Sequence, residues 1–222
     1  MLFLVFDGIK SIQESPTMNS RLLKIERRMK RCRASKTGER LLFLDFDGVV
    51  NVPYRTGTPE YEEAMKRGEY DFFRPEIVAR LNRLIKEYGL SVVISSSWRS
   101  MGLDFCVSSM RDAGFDPSIH VRGTMPLWDN YPPRSEEILM YLEKEADVSG
   151  FLILDDIDMR ILRPYAVQTV FEEGYTEACD QKARAILERQ FADNGKVFQS
   201  HALIAVLAVI VIFLIIAVAL YY

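Results

Sequence analysis

The chain has 222 residues, 49% of them apolar and 27% charged, with a net charge of −3; these proportions exclude a disordered chain and leave room for one medium domain with appendages. Residues 1–40 hold ten Lys or Arg against four Asp or Glu, so the remainder is acidic, which argues against a broad nucleic-acid-binding face. Cys32, Cys106 and Cys179 lie far apart, and His120 and His201 are the two histidines, which argues against a disulfide framework, a zinc site or a His-dependent nucleophile.

Residues 1–40 read as a basic N-terminal extension. Arg21–Arg33 is a basic, helical stretch with Leu22, Leu23, Ile25 and Met29 scattered through it. It reads as a solvated arm, or as one able to touch anionic lipid or RNA. A globular domain is expected over 41–195. It opens with LLFLDFDGVVN, residues 41–51, in which four apolar residues run into Asp45, Phe46, Asp47 and Gly48. A short unbroken apolar run is the mark of a strand buried on both faces of a parallel sheet. Residues two apart in a strand point the same way, so Asp45 and Asp47 share a face.

Residues 52–74, with Pro53, Gly57, Pro59 and Gly68, read as a loop or small flap. Pro75 opens a helix whose apolar stripe is Ile77, Leu81, Leu84, Ile85 and Tyr88, and Gly89 ends it. A second strand, 90–94, runs into Ser95, Ser96, Ser97, Trp98 and Arg99; a helix follows over 103–111, and residues 115–133 read as irregular. Arg134 precedes Ser135, taken as the N-cap of a helix that carries Glu136 and Glu137 in its first turn. A third strand, 151–154, ends in Asp155 and Asp156. One more strand is expected within 166–170, and a helix over 177–191 is capped by Thr176.

From Ala202 to Leu220 every residue is apolar, and two tyrosines follow. Such a length matches the hydrocarbon thickness of a bilayer. The expectation is a single-pass C-terminal transmembrane anchor over 201–222, contacting lipid, with basic residues on its amino side holding the domain in the cytoplasm.

Three apolar strands thus end in reactive groups: Asp45/Asp47, Ser95/Ser96 and Asp155/Asp156. Parallel strands bring these ends to one edge, and several carboxylates gathered there repel unless a cation sits among them. Oxygen ligands without His or Cys favour a hard ion, with Mg²⁺ the default.

On these residues the chain resembles the haloacid dehalogenase-like (HAD-like) phosphohydrolase superfamily, and within it the small domains of Swiss-Army-knife RNA-repair proteins. DFDGVVN resembles the first family motif, VISSSWR the second, Arg134 in RSEEI the third and LILDD the fourth. The resemblance implies a three-layer Rossmann-like α/β fold with a mainly parallel sheet and a small cap or none. It implies Asp45 as the nucleophile that forms an aspartyl phosphate, Asp47 as general acid and base, and Ser96 (or Ser95) and Arg134 as phosphoryl-binding residues. Mg²⁺ would bind Asp45, the Asp47 carbonyl and one of Asp155 and Asp156, with Asp156 preferred. The function so implied is a membrane-anchored, Mg²⁺-dependent phosphomonoester hydrolase acting on a small molecule or a nucleic-acid end, the finer alternative being a nucleotide or polynucleotide-end phosphatase of nucleic-acid repair. A non-catalytic, membrane-tethered binding module is the alternative from another class. Tyr54, Arg55, Phe72, Phe73, Arg74, Trp98 and Arg99 read either as base-stacking and phosphate-gripping residues or as loop packing.

Overall fold

A computed structural model describes residues 16–67, 73–128 and 130–191. The elements, in order, are α1 (Pro16–Ala34), β1 (Glu39–Leu44), α2 (Pro59–Arg67), α3 (Pro75–Tyr88), β2 (Leu90–Ile94), α4 (Leu103–Asp112), β3 (Val121–Thr124), α5 (Arg134–Lys144), β4 (Val148–Asp155), β5 (Ala166–Gln168) and α6 (Glu177–Phe191), with 3-10 turns at Ser97–Met101 and Arg160–Tyr165. The five strands form one sheet in the order β3-β2-β1-β4-β5, and every pairing is parallel.

Alternation along β1 builds a core on each side of it. Leu42 and Leu44 point to one face, where they meet Leu81 and Leu84 of α3, Met110 of α4 and Leu187 of α6. Leu41 and Phe43 point to the other, where they meet Ile138, Leu139 and Leu142 of α5 and Ile25 and Met29 of α1. A strand covered on both faces needs apolar side chains at every position, which explains the unbroken run. Helix, sheet and helix make the three layers expected. The chain turns back across the sheet after β3, so β1 and β4 flank the point where strand order reverses, the position at which open α/β sheets form their crevice.

Several sequence expectations are corrected. The basic stretch is not a solvated arm. Leu22, Ile25 and Met29, spaced to share one helical stripe, are buried, and the arginines between them bond across to the domain. Arg21 pairs with Glu143 at 2.7 Å, Arg28 and Arg33 donate to the carbonyls of Leu142 and Ser149, and Glu26 accepts from Tyr165 at 2.6 Å. Residues 115–133 contain β3, a half-buried edge strand whose Arg122 and Gly123 give no apolar run. The flap contains the nine-residue helix α2. Helix α5 begins at Arg134 with Pro133 as N-cap and no side-chain cap bond, and Ser135 is buried inside its first turn. Thr176 does cap α6, its hydroxyl accepting from the Cys179 N–H at 3.3 Å.

The membrane placement, with a cytoplasm-facing domain, is also corrected: among the described residues no helix is long and apolar enough to cross a membrane. The apolar run 202–220 on which that expectation rested lies outside the described residues, as do residues 1–15 and Phe72.

Candidate active site

The parallel ladder sets the site. Ser95 N–H donates to Leu44 O at 3.0 Å, Asp45 N–H to Leu154 O at 3.0 Å, and Thr169 N–H to Asp155 O at 3.0 Å. These bonds hold the first residues beyond β2, β1 and β5 level with one another at the carboxyl edge. Immediately after Asp45 the chain folds into a tight loop in which the N–H groups of Val49, Val50 and Asn51 all point to Phe46 O, at 2.8–3.1 Å. Gly48 makes this loop possible. Its φ is +70°, and a Cβ there would lie 2.7 Å from Phe171 and 2.9 Å from Asp156 Cβ, so a side chain would be both strained and excluded. Thr169, buried, donates its hydroxyl to Gly48 O at 2.6 Å and pins the loop to the strand β5 side.

Asp45, Asp155 and Asp156 come together, with one carboxylate oxygen from each lying within 4.8 Å of the others. Asp45 and Asp155 are buried and Asp156 is half-buried. Asp45 accepts from the Phe46 N–H at 2.9 Å. Its carboxyl is pushed above the usual carboxylate range by burial, against the pull of Arg134, the Ser96 hydroxyl and the Phe46 N–H. Asp155 accepts from the Ile157 N–H at 3.1 Å through Oδ1, while its Oδ2 is buried without a hydrogen bond. Burial first, and the charge of Asp45 second, raise its pKa to about 8. Two buried carboxylates side by side hold onto a proton when nothing else neutralises them.

Arg134 is the cation of this cluster. It donates to Ser95 O, pairs through Nε with Glu137 at 3.2 Å and lies 3.7 Å from Asp155 Oδ2. Glu137 was not singled out in the sequence beyond its place near a helix N-terminus. Here it is buried and joins two arginines, because Arg99 Nη2 reaches its other oxygen at 2.7 Å. Arg99 also donates to the carbonyls of Ser95 and Ser96. The guanidinium of Arg99 therefore ties the β2 loop to α5 and does not present itself to a ligand.

Of the paired serines, Ser96 has its hydroxyl against Asp45 and accepts from the Trp98 N–H at 3.3 Å. The Ser95 hydroxyl is buried without a partner. Asp47 lies apart from the three clustered aspartates. Its Oδ1 accepts from Asn51 Nδ2 at 2.7 Å and its Oδ2 from Trp98 Nε1 at 2.9 Å. Asn51 and Trp98 are residues whose contact with an acid could not be read from spacing. Asp158 turns away and pairs with Arg163 at 2.6 Å. Tyr54 and Arg74 stack on each other at 3.8 Å, and Arg74 donates to Val52 O and Pro53 O; with Phe73 buried, these residues pack the loop.

The donor set fits a hard divalent cation: three carboxylates, one with a buried oxygen that no hydrogen bond satisfies, and no His or Cys. Beside it stand an arginine and a serine hydroxyl, groups suited to an oxyanion. No curated protein and no solved structure matches the chain. The family described as "HAD domain in Swiss Army Knife RNA repair proteins" matches residues 41–179, from β1 to the first turn of α6. That stretch is more than half of the chain and holds every residue of the cluster, and the chain belongs to this HAD family.

Proposed function

We propose that the chain is a Mg²⁺-dependent phosphomonoester hydrolase working through an aspartyl phosphate on Asp45. The observation that carries this reading is the meeting of Asp45, Asp155 and Asp156 within 4.8 Å beside Arg134. Asp45, Asp155 and Asp156 would hold the ion, with the Asp47 carbonyl as a further ligand. The ion supplies charge neutralisation, without which a phosphoryl dianion could not approach ionised carboxylates.

An Asp45 oxygen attacks phosphorus, a covalent O–P bond forms, and the bond from phosphorus to the leaving oxygen breaks. Asp47 gives its proton to that oxygen. Water then attacks the aspartyl phosphate and passes a proton to Asp47; the Asp45–phosphorus bond breaks, and inorganic phosphate and the free carboxylate are restored. Arg134 and the Ser96 hydroxyl hold the phosphoryl oxygens as their charge redistributes. Arg134 is prepared for this: its Nε and Nη1 are fixed by Glu137 and Ser95 O, and its Nη2 has no protein partner among the described residues.

A nucleotide or polynucleotide end is the finer reading of substrate. It is supported by the family's description as a domain of RNA repair proteins and by the size of the insert before α3, whose one described helix is nine residues long. The test is phosphate release from p-nitrophenyl phosphate and from 3′- and 5′-phosphorylated oligonucleotides, with and without Mg²⁺. Asp45→Asn should lose at least about 10³-fold in kcat. Turnover that survives this substitution, or that is indifferent to chelation, would remove the reading.

A further inference from the structure

The proton that departs with the alcohol requires a carboxyl group aimed at one oxygen, because general-acid catalysis depends on placement before it depends on acidity. Asp47 has both oxygens held, by Asn51 Nδ2 at 2.7 Å and by Trp98 Nε1 at 2.9 Å. The two donors come from different segments, and each is itself fixed. Asn51 sits in the tight loop, its N–H on Phe46 O at 2.8 Å and its carbonyl accepting from Gly48 N–H at 2.9 Å. Trp98 stands edge-on to Phe46 at 5.6 Å and lies against Phe73 at 5.7 Å and Phe105 at 6.0 Å. Its main-chain N–H donates to the Ser96 hydroxyl at 3.3 Å.

An indole packed among three phenyl rings cannot follow a wandering carboxylate, so the carboxylate adopts the direction the indole allows. The indole thus reaches Asp47 from a residue whose main chain is anchored at Ser96, the residue lying against the nucleophile. We propose that Trp98, assisted by Asn51, is the positioning residue that aims Asp47 at the leaving-group oxygen. The inference rests on the phosphatase reading above and adds to it the residue that sets leaving-group dependence. The hydrogen bond from Trp98 to Asp47 matters most when the departing oxygen needs a proton, and least when the leaving group is stable as an anion.

The experiment compares kcat/KM across a series of aryl phosphates, from nitrophenyl to methoxyphenyl, for the full chain, Trp98→Phe and Asn51→Ala. This ratio reports the steps up to departure of the leaving group, so the later hydrolysis with Asp47 as base does not enter. Both variants are expected to lose about tenfold or more on the poorest leaving group and less than about threefold on nitrophenyl phosphate, steepening the dependence on leaving-group basicity. Equal losses along the series, or none, would overturn the inference and leave Trp98 a tie between loops. A wild-type chain that hydrolyses nitrophenyl phosphate alone would overturn it too, since Asp47 would then be delivering no proton. Absence of turnover on every member would overturn the phosphatase reading, and this inference with it. Should Trp98→Phe fail to fold, Asn51→Ala decides, because among the described residues that side chain bonds to Asp47 alone.

Discussion

At the end of β1 two clusters meet that are built from different materials. One gathers Asp45, Asp155 and Asp156 with Arg134, Glu137 and Arg99. The other surrounds Asp47 with Asn51, Trp98, Phe46, Phe73 and Phe105. In the charged cluster Glu137 is shared by Arg99 and Arg134, and Arg134 also lies beside Asp155, so removal of Glu137 leaves two little-exposed arginines uncompensated. In the aromatic cluster the stabilisation is spread over contact area, and a ring can be replaced by a somewhat smaller one at modest cost. Two acids only two residues apart therefore answer to different physics, and substitutions should separate them.

The largest effect is expected at Glu137. Its replacement by Ala strands Arg99 and Arg134, whose side chains are 8% and 14% exposed, and should cost about 3–5 kcal/mol of stability by urea unfolding together with most of the turnover. A cost near that of a surface substitution would show that water reaches the two arginines and that the cluster is not dry.

The next effect concerns pH and the metal. Because the folded-state pKa of Asp155 is raised to about 8 from an ordinary 3.8, the folded chain keeps a proton that the unfolded chain releases. The stability associated with this group is fully present below about pH 4 and is lost as pH rises towards 8. Metal-free wild type should therefore lose stability over this range relative to Asp155→Asn, and Mg²⁺ should raise the wild-type melting temperature more at pH 8 than at pH 5. Parallel pH profiles for the two chains would break the argument. The smallest effect is expected at the outer end of the aromatic cluster, where Phe105 is 44% exposed: Phe105→Ala should cost about 1 kcal/mol or less, and a loss comparable to that at Glu137 would erase the distinction between the clusters.

Much of the fold could be read from the sequence because burial leaves a regular trace. Strands β1, β2 and β4 each finish in a short apolar run that leads into acids or hydroxyls, and α3 carries its proline, its stripe and its terminal glycine in order. The same logic brings Asp45, Asp47, Asp155 and Asp156 to one edge, since parallel strands align equivalent ends; the structure gathers Asp45, Asp155 and Asp156 and turns the Asp47 carboxylate to Asn51 and Trp98 instead. What sequence could not show depends on distance along the chain. Glu137 looks like any acid in a first helical turn until Arg99, 38 residues earlier, is seen against it. Trp98 and Asp47 are 51 residues apart, and no periodicity joins them. Strand β3 carries no apolar run because it lies at the sheet edge, and the arginines of α1 mask a stripe of three buried residues, Leu22, Ile25 and Met29.

The packing of α1 has a practical consequence for anyone who would isolate the HAD domain. The stretch shared with the family begins at residue 41, yet Leu41, Phe43, Phe151 and Ile153 are covered partly by Ile25 and Met29 from upstream. A fragment trimmed to the shared stretch would carry an uncovered oily face, and would also lack Leu187 from beneath the opposite one. Recombinant versions should start ahead of Pro16 and run through Phe191; shorter ones are expected to clump, whatever the state of their aspartates.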